Sequence, residues 1–143
     1  MALLEDLMEK VEELVNFELN KGVSPIELAS SIYEDGYTEV KIKKQFGHVT
    51  CTVQFYDNEF FNEQKIKHEY RYIYDENNYL QEIELIKNKK VEILWSRTVE
   101  RTNILNNILE MAKGTDHVKL RNFAFDDRLP EQVRTSLKSA LDV

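Results

Sequence analysis

The hydrophobic period of the chain changes twice, and this narrows the fold more than any motif does. Leu4, Leu7, Val11 and Leu14, with Leu3, Met8 and Val15 beside them, recur at steps of three and four residues. From Tyr37 to Trp95 apolar residues alternate with polar ones, and beyond Thr98 the helical step returns. A stripe of period 3.6 buries one side of a helix, whereas a period of two buries one face of a sheet. The chain therefore reads as α+β, with helices segregated at both ends of a run of strands.

The first stripe predicts a helix from about Ala2 to Asn20, stopped by Gly22. Ser24-Pro25-Ile26-Glu27 then forms a capping box with proline at the first helical position, where its missing N–H costs nothing. This starts a short second helix ending near Gly36. Val40 and Ile42 alternate with Glu39, Lys41 and Lys43, and Val49, Cys51, Val53 and Phe55 with Thr50, Thr52 and Gln54, which predicts two strands paired around Gly47. A polar insert, Asp57 to Gln64, leads to a strand from Lys65 to Tyr74. Asp75-Glu76-Asn77-Asn78 turns the chain into Tyr79 to Ile86, and Asn88 turns it into Val91 to Trp95. Five sequential strands on short connections imply an antiparallel meander.

Thr98 is the predicted cap of a helix carrying Ile104, Leu105, Ile108, Leu109 and Met111 on one side, closed by Gly114 after Lys113. That apolar side is expected to cover the sheet. His117 to Phe125 has a weaker alternation, read as a sixth strand, and Pro130 introduces a final helix on which Val133, Leu137 and Leu141 align. No linker or internal repeat interrupts the chain. Residues 1–143 are expected to form a single domain: an acidic helical arm over 1–36, a β-meander over 37–95, and helix, weak strand and helix over 96–143.

Charge is distributed unevenly. Residues 1–36 hold nine acids and two bases and the remainder seventeen of each, so the first quarter carries the whole net charge of −7. Glu5, Asp6, Glu9, Glu12, Glu13 and Glu18 meet only Lys10 and Lys21, whereas a helix face that is merely solvated mixes signs. A protein partner with a basic surface fits this arm. Nucleic acid is disfavoured, because binding it calls for a net basic footprint. The acids within Met1 to Lys10 break any run that an export signal or a membrane span needs, so no membrane association is expected and the chain reads as cytoplasmic. Cys51 is the single cysteine, which excludes an intramolecular disulfide and a Cys-rich zinc site. Its parity with Val49, Val53 and Phe55 makes it a buried small hydrophobe.

The strongest candidate for a working surface is an aromatic ladder. His68, Tyr70, Tyr72 and Tyr74 share one face of their strand, with Lys67, Glu69, Arg71 and Ile73 on the other. Such rings stack bases of single strands beside Lys and Arg, or simply pack under a helix. Other chemistry finds little support. His48-Val49-Thr50 is half of a paired His-x-Thr phosphoesterase pattern whose second half is absent. Three scattered histidines and one cysteine lack zinc-ligand spacing. Glu82 and Glu84, with Glu92 opposite them, read as solvated strand charge rather than as an acid/base pair. No glycine-rich phosphate loop or nucleophile elbow occurs.

No catalytic residue, metal ligand or cofactor is therefore assigned, and the sequence leans away from an enzyme. The expected function is a protein-interaction module of inhibitor, immunity or adaptor type. Its candidate contacts are Glu5, Glu9, Glu12 and Glu13 on the arm and His68, Tyr70, Arg71, Tyr72 and Tyr74 on the strand. Two alternatives stand beside it: a single-stranded nucleic-acid binder using the tyrosines with Arg71 and Lys67, and a small enzyme or ligand carrier with its site around His68. Nothing in the sequence forbids a homodimer. In size, acidity and element order the chain resembles small acidic binding proteins such as secretion chaperones, at the level of fold and without a shared motif.

Overall fold

The computed structural model describes residues 2–58, 65–113 and 131–141. It has the α+β composition and the five-stranded antiparallel meander that the change of period implies. Two compact units divide the chain: residues 21–97, and residues 1–20 together with 98–143.

The second unit is helical. Its described elements are α1 (Ala2–Leu19), α3 (Arg97–Ala112, from its second residue onward) and α4 (Glu131–Leu141). Leu7, Val11 and Leu14 of α1, Ile104, Ile108 and Ala112 of α3, and Leu137 of α4 form one buried cluster, with Val15, Phe17, Leu105 and Met111 partly buried against it. The stripe at i, i+4 and i+8 of α3 is thus matched to the stripe of α1, and each such side chain removed from water contributes about 1.5–3 kcal/mol. The buried residues of α3 are thus used among helices. The helix also begins one residue before Thr98, which lies in its first turn and accepts a 2.8 Å hydrogen bond from the Thr102 hydroxyl at its carbonyl.

Glu18 sits at the end of the buried stripe of α1, only 6% exposed. Arg101 of α3 donates to both of its carboxylate oxygens, Nε to Oε1 and Nη2 to Oε2 at 3.2 Å. A carboxylate there is tolerable because the guanidinium fork satisfies it bidentately. Glu18 therefore leaves the acidic face to which its sequence neighbours assign it.

The other unit is the sheet. The capping box forms as expected: the Ser24 hydroxyl accepts from the Glu27 N–H, and the Glu27 side chain accepts from the Ser24 N–H, opening α2 (Pro25–Ala29). A four-residue 3-10 turn (Ser30–Tyr33) continues it. The strands β1 (Tyr37–Gln45), β2 (His48–Asn58), β3 (Lys65–Tyr74), β4 (Leu80–Lys87) and β5 (Lys90–Ser96) lie side by side in sequence order, every neighbouring pair antiparallel. Leu28, Cys51, Val53, Tyr74 and Leu80 form its core, with Val23, Val40, Val49, Ile83 and Trp95 packed around them. Gly22 enters at φ +83°, and a Cβ there would stand 2.8 Å from the Cβ of Leu80, so only glycine allows the chain to pass. The Leu80 N–H donates to the Lys21 carbonyl at 2.8 Å across this close approach.

The acidic segment 1–36 is accordingly not one piece. α1 packs with α3 and α4, whereas α2 and the 3-10 turn pack on β1 and β2. The expected sixth strand, His117 to Phe125, the closing Gly114, Pro130 and most of the polar insert lie outside the described residues.

Candidate functional site: an aromatic sheet face and an acidic helix

Strand register assigns every side chain of the meander to a face, because directly opposed residues point the same way. On one face the rows read Tyr37, Phe55, His68, Lys87, Lys90; then Val40, Val53, Tyr70, Leu85, Glu92; then Ile42, Cys51, Tyr72, Ile83, Trp95. On the other they read Glu39, Gln54, Glu69, Ile86, Val91, then Lys41, Thr52, Arg71, Glu84, Ile93. The tyrosine ladder is real, but its members differ in environment. Tyr74 is 1% exposed and its hydroxyl donates to the Val23 carbonyl at 2.5 Å. Tyr72 is half-buried beside Cys51 and Ile83. Burial pushes the phenols of Tyr72 and Tyr74 and the thiol of Cys51 above their ordinary pKa values, since each would have to carry its charge away from water.

Toward the other end of β3 the face opens. Tyr37, Phe55, His68, Tyr70 and Tyr72 form an unbroken chain of ring contacts over three strands. Phe55 is 5.3 Å from Tyr37, 5.0 Å from His68 and 5.3 Å from Tyr70, the last nearly parallel at 21°, and Tyr70 lies 6.4 Å from Tyr72. All five rings are partly exposed. Lys87 and Lys90 continue the row of His68, so the open end of the aromatic face has a basic border. Leu85 and Lys87 keep the alternation of β4, which is the signal in the sequence that could have placed Lys87 here.

Several sequence-derived candidates are corrected by this register. Tyr74 is a core residue and drops out as a contact. Arg71 and Lys67 lie, as the alternation of β3 implies, on the face opposite the tyrosines, where Arg71 Nη1 bonds Glu84 at 3.4 Å and its Nη2 lies 3.9 Å from Glu69. Glu92 does not stand with Glu82 and Glu84: the two-residue turn Asn88-Lys89 sets Lys90 opposite Lys87 and therefore Glu92 opposite Leu85, on the aromatic face. The extra residue Leu94 shifts the register beyond it, so that Trp95 joins Ile83 on the aromatic face although it shares the parity of Val91 and Ile93. His48 and His68 lie at opposite ends of the β2–β3 pair, seven residue steps or roughly 23 Å apart.

The four arm candidates do come together. Glu5, Glu9, Glu12 and Glu13 are exposed along the side of α1 opposite Leu7, Val11 and Leu14, with Asp6 beside them, and Lys10 reaches Glu13 at 3.0 Å. Met8 and Leu19, 52% and 59% exposed, border this stripe. One residue escaped sequence reasoning altogether. Phe46, at the tip of the β1–β2 hairpin, is 90% exposed and held at φ +52°, an unfavourable conformation for a bulky side chain.

Among the described residues no three His, Cys, Asp or Glu side chains are grouped to hold a metal ion, and no helix is long and apolar enough to cross a membrane. No protein-family model matches the chain, and neither the curated proteins nor the solved structures contain a match to it.

Proposed function

We propose that the chain is a cytoplasmic, non-enzymatic interaction module whose α1 docks on a basic protein surface. The observation that carries this reading is the acidic stripe: five exposed carboxylates share one side of a helix whose other side is fixed in a core, with Lys10 as their one close counter-charge among the described residues. Glu5 lies in the first turn, where the helix dipole favours it, but Glu9, Glu12 and Glu13 lie beyond that reach and repel one another. A basic surface relieves that repulsion, and complementary charge of this kind steers encounter. The open aromatic end, with Tyr70 and His68, supplies a second contact surface of a different chemistry.

Base stacking is the weaker reading. The tyrosines and the cations Arg71 and Lys67 lie on opposite faces, and the chain as a whole carries −7. The test is association kinetics. A partner captured from the native host, before and after nuclease treatment, is measured against wild type and against Glu9→Lys, Glu12→Lys, Glu13→Lys combined, at two salt concentrations. The variant is expected to keep its helix content and to bind with a lower on-rate, the difference shrinking as salt is added. Equal on-rates at low salt would reduce the stripe to a solvated face.

A further inference from the structure

The two edges of the sheet are treated differently. Edge strand β1 carries Lys41, Lys43 and Lys44 and packs against the 3-10 turn, both of which discourage another strand from adding to it. Among the described residues edge strand β5 has no such cover: Lys90, Val91, Glu92, Ile93 and Leu94 are exposed on both faces, the three apolar ones at 55%, 59% and 46%. Among the described residues, no backbone hydrogen bond outside the ladder to β4 reaches this stretch.

We propose that β5 is a self-association edge, pairing antiparallel with β5 of a second copy about a two-fold axis at Val91. This stands independently of the acidic stripe. Backbone groups along a strand point alternately toward and away from its free edge, so in a symmetric antiparallel pair only residues of equal parity face each other and the axis falls on a residue. An axis at Lys90 or at Glu92 sets like charges against each other. One at Leu94 falls on the bulge, and one at Ile93 carries Val91 onto the half-buried Trp95 and Lys90 onto Ser96, the last residue before α3. An axis at Val91 instead sets Val91 on its twin and Lys90 against Glu92 twice over, so that the charges of the edge are self-complementary. Ile93 then lies along the aliphatic stem of Lys89 of the other copy. The product is a continuous ten-stranded sheet with both remaining edges of the lysine-rich β1 kind.

Sedimentation equilibrium of the full chain tests this. Wild type is expected to show a concentration-dependent monomer–dimer equilibrium. Lys90→Glu or Glu92→Lys alone creates two like-charge cross-strand pairs and is expected to weaken the dimer by about tenfold or more, while the double exchange restores it. Neither change threatens the monomer, because Lys90 faces Lys87 and Glu92 faces Leu85 within the sheet. Circular dichroism of each variant checks this. With Cys51 buried, Val91→Cys adds one accessible thiol and should give a disulfide-linked dimer on mild oxidation. A wild-type chain that stays monomeric up to its solubility limit, single exchanges without effect, or cross-linking by Ile93→Cys in place of Val91→Cys would each overturn the proposal.

Discussion

Replacing Tyr74 by phenylalanine separates two contributions that one hydroxyl makes at different pH. The ring stays in the core, so the packing of a side chain only 1% exposed is kept. What is lost is the 2.5 Å bond to the Val23 carbonyl. A buried acceptor stripped of its donor costs about 1–3 kcal/mol, and because Val23 is only partly buried, water can reach the carbonyl and the lower half of that range, about 1–2 kcal/mol, is expected at pH 7. At high pH the sign reverses. Burial raises the phenol above its ordinary value of 10.0 in the folded chain, so the stability it contributes is complete below pH 10 and is lost as pH rises from there toward the folded-state value. In that window the loss is about 1.4 kcal/mol per pH unit, and phenylalanine does not incur it. Cys51 and Tyr72, raised in the same direction, leave the variant some alkaline sensitivity of its own. Urea unfolding at pH 7 and at several values above 10, followed by the fluorescence of Trp95, reads the sheet unit through its one tryptophan. Tyr33→Phe, at a residue 89% exposed, is the control. Equal midpoints for Tyr74→Phe and wild type at pH 7 would mean that the bond is not made in solution. Parallel losses above pH 10 would mean that Tyr74 is not the group being held neutral.

In the helical unit, Leu14→Ala removes a fully buried side chain and is expected to cost about 2–5 kcal/mol, whereas Leu105→Ala, at a partly buried position, should cost less; helix content followed through thermal unfolding ranks the two. At the β1–β2 hairpin, Phe46 precedes Gly47 and both have positive φ, the type I′ arrangement that Asn-Gly fits best. Phe46→Asn should therefore raise stability by about 1 kcal/mol, seen as a higher urea midpoint with unchanged slope, and a destabilised variant would show that the exposed ring holds the hairpin.

Much of the architecture is legible in the chain because it depends on local chemistry. The period of two places the strands to within a residue or two, Ser24 and Glu27 announce their helix by capping each other, and strand parity alone puts Cys51 in the core. The acidic stripe is equally readable, since charge on a helix face follows from spacing alone. What spacing cannot supply is the partner. The apolar stripe of α3 suits a sheet or a helix equally well, and only its meeting with Leu7, Val11 and Leu14 selects the helical core. Glu18 belongs by sequence with the exposed acids, yet an arginine eighty-three residues away makes it a buried ion pair. Leu94 displaces the register by one residue and brings Trp95 to the aromatic face, an event invisible in the alternation of β5 by itself. Tyr74 differs from Tyr70 only in what lies over it, and it is Val23, Leu28 and Leu80, brought in from other parts of the chain, that turn one ring of a ladder into core and leave another partly in solvent. Period and parity are properties of a segment, whereas burial, ion pairing and register are properties of two segments brought together, and only the folded chain decides which two.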